Sequence, residues 1–126
     1  MKVFGVEADT ANDTWLSFRK GERVSISPPP TIADGIRNSS PGALTFPILR
    51  QNLTDVLLVS DEAIKDAVRF LLLRAKLLVE PTGAVPAAAL LAGAVPLPKG
   101  ARVGIVLSGG NVDPGTLVDI LGSARR

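Results

Sequence analysis

Three short stretches of this 126-residue chain carry side chains whose types and spacing can do chemistry. In Ser108-Gly109-Gly110-Asn111 a hydroxyl that can donate or accept one hydrogen bond precedes two glycines, which let backbone lie close against a ligand. The stretch follows Val103-Gly104-Ile105-Val106-Leu107, an apolar run that reads as a buried strand, and open α/β sheets place ligands outside the carboxyl ends of their strands. It reads equally as a tight strand-to-helix turn, with Asn111 and Asp113 capping the next helix. Glu7, Asp9 and Asp13 gather just after Val3-Phe4-Gly5-Val6, and oxygen donors at a strand–helix corner suit a hard cation such as Mg²⁺ or Ca²⁺. Helix capping explains them as well. Glu80-Pro81-Thr82-Gly83 sets a carboxylate at the start of a helix, where the dipole favours an acid and where an ordinary exposed cap would also stand. Lys65, Lys76 and Lys99 are amines capable of a Schiff base, but their surroundings give no reason to prefer that over a place on the surface.

Composition removes other chemistries. Without histidine the commonest general base and zinc ligand are gone, and without cysteine there is no disulfide scaffold or thiolate metal site. Fourteen basic and 12 acidic residues are spread along the chain, with one Trp, no Tyr and four Phe, so neither a basic patch nor a stacking platform for nucleic acid is present. Residues 81–98 run without a charge, but they include Pro86, Pro96, Gly83 and Gly93 and are mostly Ala. That favours a buried helix of small residues over a membrane span. The start of the sequence lacks the apolar stretch of a signal peptide, and a soluble, cytoplasmic protein is expected.

The elements that must position these residues alternate between strand and helix, which predicts an α/β fold with a mostly parallel sheet flanked by helices. Val3–Val6, Asp55–Val59 and Val103–Leu107 read as strands. A short helix through Trp15, Leu16 and Phe18 should end at Lys20-Gly21, and Ser25–Pro30, with three consecutive prolines, must be an extended connection. A helix over Ala43–Asn52 has to take Pro47 in its first turn or be kinked by it. Ser60 caps the strongest helix, in which Ile64, Val68, Leu71, Leu72, Ala75 and Val79 keep helical spacing up to Glu80-Pro81. An Ala-rich helix from Thr82 to about Leu91 and a last helix from Thr116 to Ala124 complete the chain. Three strands are few for so many helices, and a strand beginning at residue 3 reads as the middle of a domain; both point to a fragment.

Six stretches, in order, resemble the threonine dehydratase and serine racemase family of pyridoxal-phosphate (PLP) enzymes: Phe4-Gly5-Val6-Glu7, Thr31-Ile32-Ala33-Asp34-Gly35, Thr45-Phe46-Pro47-Ile48, Val59-Ser60-Asp61-Glu62, Val79-Glu80-Pro81-Thr82-Gly83 and Leu107-Ser108-Gly109-Gly110-Asn111-Val112-Asp113. The resemblance implies the fold-type II architecture, with residues 1–126 as the C-terminal part of the large, PLP-binding domain. It implies that Ser108 hydrogen-bonds the pyridine nitrogen, that Gly109 and Gly110 lie against the cofactor, that Glu80 is the acid near its ring and that Gly35 lines the mouth. It also implies a Mg²⁺ or Ca²⁺ site at Glu7, the Ala11 carbonyl and Asp13.

The family's Schiff-base lysine segment and its phosphate-binding glycine run have no match here. Ser17-Phe18-Arg19-Lys20 is only superficially like the lysine segment and reads as helix surface. The expected role is therefore part of a threonine or serine ammonia-lyase, or of a serine racemase, with an amino acid as substrate. No catalytic residue is expected in this chain, which would be incompetent alone and would need an N-terminal half. The alternative is a non-catalytic, self-associating domain.

Overall fold

The computed structural model describes residues 1–123. Two strands, β1 (Phe4–Ala8) and β2 (Asp55–Val59), pair in parallel, from Phe4 opposite Asp55 to Ala8 opposite Val59. The pairing runs on at both ends, with Thr54 N–H donating to Val3 O at 2.7 Å and Asp9 N–H to Val59 O at 2.8 Å.

Between the strands the chain forms α1 (Asp13–Lys20), a long connection with one 3₁₀ turn (Asp34–Ile36), and α2 (Thr45–Asn52), which takes Pro47 in its first turn as its missing N–H requires. Gly21 ends α1 in the left-handed region at φ 84°, its N–H on Ser17 O. The connection is tied down by polar contacts instead of ladder bonds. Asp61 accepts from the Thr31 hydroxyl at 2.6 Å and from Ile32 N–H at 3.0 Å; Arg37 Nε donates to Thr31 O and Arg23 Nε to Pro41 O.

After β2, Ser60 caps α3 (Asp61–Phe70) by accepting from Ala63 N–H, with Asp61 and Glu62 in the first turn. This helix does not run on to Glu80 as its apolar spacing predicts. It widens into a π turn over Leu71–Ala75 and stops at Lys76, which is left-handed at φ 62°. The Leu77 N–H reaches back to Leu71 O and the Lys76 ammonium to Leu73 O, which satisfies two of the carbonyls at the helix end. Val79 is in the core as the sequence spacing demands, but it arrives there on an extended segment and not on a helical turn.

The next helix, α4 (Pro81–Leu91), begins with Pro at its first position and buries Gly83, Ala84, Val85, Ala87, Ala88 and Ala89. Such small side chains let its backbone lie close to α3, and the core closes with Ile64, Ala67, Val68 and Leu71 from that helix. Asp113 caps α5 (Pro114–Gly122), whose Ile120 is buried against the same core; the expected end at Ala124 lies outside the described residues. Arg69 fastens α5 to α3 by donating to Ile120 O at 2.7 Å and Ser123 Oγ at 2.8 Å.

The third expected strand does not form. Residues 103–107 have no ladder partner, and Val106 is 76% exposed. A strand exists only as half of a hydrogen-bonded pair, and this run pairs with neither strand of the sheet. Among the described residues no helix is long and apolar enough to cross a membrane.

Candidate functional site

The N-terminus of α4 collects three stretches that are far apart in sequence. Glu80 occupies the cap position, Pro81 starts the helix, and Thr82 and Gly83 complete the first turn. The Ser108-Gly109-Gly110-Asn111 turn lies directly on it. Glu80 N–H donates to Gly109 O at 3.1 Å, and Asn111 N–H donates to Glu80 Oε2 at 2.8 Å. The Glu80 carboxylate therefore does not cap its own helix; it holds the neighbouring turn.

A side chain at any of these glycines would collide with a neighbouring segment, with backbone at Gly83 and Gly110 and with a side chain at Gly109. A Cβ at Gly83 would stand 2.7 Å from Gly109 O, one at Gly110 would stand 2.8 Å from Leu78 O, and one at Gly109 would strike the Glu80 carboxyl. The glycines let these segments pack in close contact, with exposed Ser108 at the head of the turn. From the other side, Gly35 N–H donates to Thr82 Oγ1 at 2.9 Å, while the Thr82 hydroxyl faces Asp34 Oδ1 at 3.4 Å. Gly35, Glu80, Gly109 and Gly110, picked from sequence, thus meet around one helix end. A cleft of about 440 Å³ opens beside it, with Asp34, Pro81, Asn111 and Asp113 in its wall.

The second predicted cluster lies elsewhere, at the carboxyl end of β1. Both Glu7 oxygens accept from the first turn of α1, Oε2 from Trp15 N–H at 2.8 Å and Oε1 from Thr14 N–H at 3.2 Å. Glu7 is thus the real cap of α1, which the Asn12 side chain does not cap. Burial pushes the Glu7 carboxyl above its ordinary range, and Asp13 nearby adds repulsion; burial likewise raises Asp13, which is 2% exposed. Ala11 is fully buried beside them. Asp9 takes its place in the ladder through its N–H. Among the described residues no group of three acidic, His or Cys side chains is arranged to hold a metal.

Lys65, half-buried in the wall of the cleft, pairs with Glu62 at 2.6 Å, while exposed Lys76 lies on a helix-end carbonyl and Lys99 is exposed. Ser17 corrects the reading of residues 17–20 as helix surface: it is fully buried, donates to Asp13 O at 2.6 Å and accepts from Val24 N–H at 2.9 Å. Sequence reasoning also passed over Thr82 and Asp61 as positioning groups. Each looked like routine helix-start chemistry, and only tertiary contact shows what it holds.

Residues 1–109 match the family described as "Pyridoxal-phosphate dependent enzyme". The chain is 46% identical to serine racemase of Schizosaccharomyces pombe over 89% of its own length and 34% of the relative's. It is 45% identical to L-threonine ammonia-lyase of Geobacter sulfurreducens over 93% of its length and 29% of the relative's. Among solved structures, maize serine racemase superposes with a TM-score of 0.84 at 35% identity, covering 96% of this chain and 38% of that one. The chain spans about a third of the length of the curated relatives it matches.

Proposed function

Because this chain belongs to the pyridoxal-phosphate dependent enzyme family, we propose that it supplies one wall of a PLP site in an amino-acid ammonia-lyase or racemase, as the C-terminal part of the large domain. The observation that carries this reading is the convergence of Gly35, Glu80, Gly109 and Gly110 on the first turn of α4. Backbone bared by neighbouring glycines, with a few polar groups beside it, suits a flat aromatic ring.

When bound, PLP supplies the electron sink that lets an amino acid lose its α-proton or its β-hydroxyl. The residues of this chain set how strong that sink is. Ser108 offers the pyridine nitrogen a neutral hydroxyl, which does not hold a proton there as a carboxylate would. Gly109 and Gly110 lie against the ring, Glu80 keeps their turn in place through Asn111, and Gly35 lines the mouth. The substrate class is a serine- or threonine-like amino acid, acted on by β-elimination in preference to racemisation.

None of Lys65, Lys76 and Lys99 sits in the glycine wall, and no glycine run here matches the family's phosphate cradle. These 126 residues are therefore incompetent by themselves and act with a complementary portion that brings both. Exposed apolar residues along 103–107 support an associating surface. Absorbance of PLP mixed with the chain, alone and with the complementary portion of a relative, tests the reading. The lysine-linked band is expected only in the mixture; a band and 2-oxo acid release from the chain alone would overturn it.

A second reading concerns the Glu7–Asp13 corner. Its donors are all oxygen, and burial leaves two carboxylates whose repulsion a divalent cation would relieve. Asp13, the Ala11 carbonyl and Glu7 would hold Mg²⁺ or Ca²⁺, with water completing the shell.

A further inference from the structure

The Asp34–Gly35 turn is hydrogen-bonded to the first turn of α4 through Thr82. We infer that Thr82 is the positioning residue that fixes Gly35 against the ligand wall, a role for which no carboxylate or lysine of the site can substitute. Three contacts carry the inference. The Thr82 hydroxyl accepts the Gly35 N–H at 2.9 Å, and its own proton faces Asp34 Oδ1 at 3.4 Å, so one hydroxyl orients both residues of the turn. The Thr82 methyl fills the space where a Gly35 side chain would go, 2.9 Å from an ideal Cβ, so it holds the turn at a fixed separation from the helix. Just before the turn, Ile32 and Ala33 are anchored independently, through Asp61 and the buried Thr31 hydroxyl. The turn is therefore stiff up to Asp34, and its last adjustment belongs to Thr82.

Thr82 also stands between Glu80, which holds the Gly109–Asn111 turn, and Gly83, which touches Gly109 itself. The two edges of the wall are thus set by neighbouring residues of one helical turn. The consequence for a ligand rests on the PLP-wall reading; the consequence for Gly35 does not.

The test uses the whole chain with Thr82→Val, which keeps the shape and removes the hydroxyl, and Thr82→Ser, which keeps the hydroxyl. Amide exchange at Gly35 is compared with exchange at Ala88 in the middle of α4. Loss of one hydrogen bond worth roughly 1 kcal/mol predicts about fivefold faster exchange at Gly35 in Thr82→Val. Ala88 should be unchanged, and Thr82→Ser should restore Gly35. Pyridoxine 5′-phosphate, which lacks the aldehyde and so cannot react with surface lysines, is then titrated into each chain mixed with the complementary portion of a relative while the Ser108 and Gly35 amide signals are followed. Weaker binding to Thr82→Val, rescued in Thr82→Ser, is the expected result. Unchanged Gly35 exchange in Thr82→Val, or equal loss in both variants, would overturn the role of Thr82. Should Thr82→Val fail to fold, Thr82→Ala in combination with Gly35→Ala decides: the second substitution should cost less there than in the parent chain, and an equal cost refutes the contact. Failure of the probe to bind the parent chain mixed with the complementary portion of a relative overturns the wall reading alone, because the exchange result stands apart from it.

Discussion

The Glu80 carboxyl and the α-carbon of Gly109 are so close that a methyl group on Gly109 would stand 2.8 Å from Glu80 Cδ. Glu80 is the long, mobile partner and can swing away, but only by releasing the Asn111 N–H that it accepts at 2.8 Å. Gly109→Ala should therefore fold and lose about 1.5–3 kcal/mol, the worth of a hydrogen bond to a charged acceptor. Urea denaturation measures the loss, and faster Asn111 amide exchange identifies its source; an unchanged Asn111 would refute this account.

Gly83→Ala presents the opposite case, since its new methyl would meet backbone, Gly109 O at 2.7 Å, and the buried Val79 at 2.9 Å. Replacing a helical glycine with alanine ordinarily gains about 1 kcal/mol. Overpacking costs about 1–3 kcal/mol, and neither neighbour can rotate out of the way. A net destabilisation is expected, and a raised Tm for Gly83→Ala would show that the turn is looser than these contacts imply.

Arg69 joins α3 to α5 while its side chain is only 12% exposed. Arg69→Met keeps much of the packing and leaves the Ile120 carbonyl with only the longer bond from the Ser123 hydroxyl at 3.2 Å, at a cost of about 0.5–1.5 kcal/mol. Exchange should accelerate across 114–122 before it does in α4. Uniform acceleration would mean that α5 is held by its apolar face and not by Arg69.

The pH dependence comes from Glu7 and Asp13, whose folded-state pKa values lie above the ordinary 4.5 and 3.8. A carboxyl raised by folding stabilises the fold in its protonated form, fully below the ordinary value, and that contribution disappears as pH climbs through the raised value. Stability should therefore fall from about pH 4 upward, and Asp13→Asn should flatten its share of the slope. Calorimetry at neutral pH should show binding heat with Mg²⁺ or Ca²⁺ for the parent chain and none for Asp13→Ala. Equal heats would remove the cation site.

Much of the site was legible before any coordinates. Ser108-Gly109-Gly110-Asn111, Glu80 and Gly35 are marked by residue type: glycine where backbone must approach, an acid at a helix start, a hydroxyl after an apolar run. Helix starts were legible for the same local reason, since Ser60 and Asp113 cap through groups three residues away. The end of α3 was not. Val79 satisfies the helical spacing, but a π turn and left-handed Lys76 bring it to the core on extended chain, because α4 needs that stretch to begin at Pro81. Nor was the fate of 103–107: β-propensity is local, but a strand is made by its partner.

The sequence by itself determined which residues can let backbone approach backbone and the family whose pattern they share, because glycine, proline and capping preferences act within a few residues. Only the tertiary structure decided that Glu80 serves the neighbouring turn and not its own helix, that Glu7 caps α1, that Ser17 is buried, and that Thr82 governs Gly35. Each of those is a hydrogen bond or a burial set by another segment, and no short-range preference can specify it.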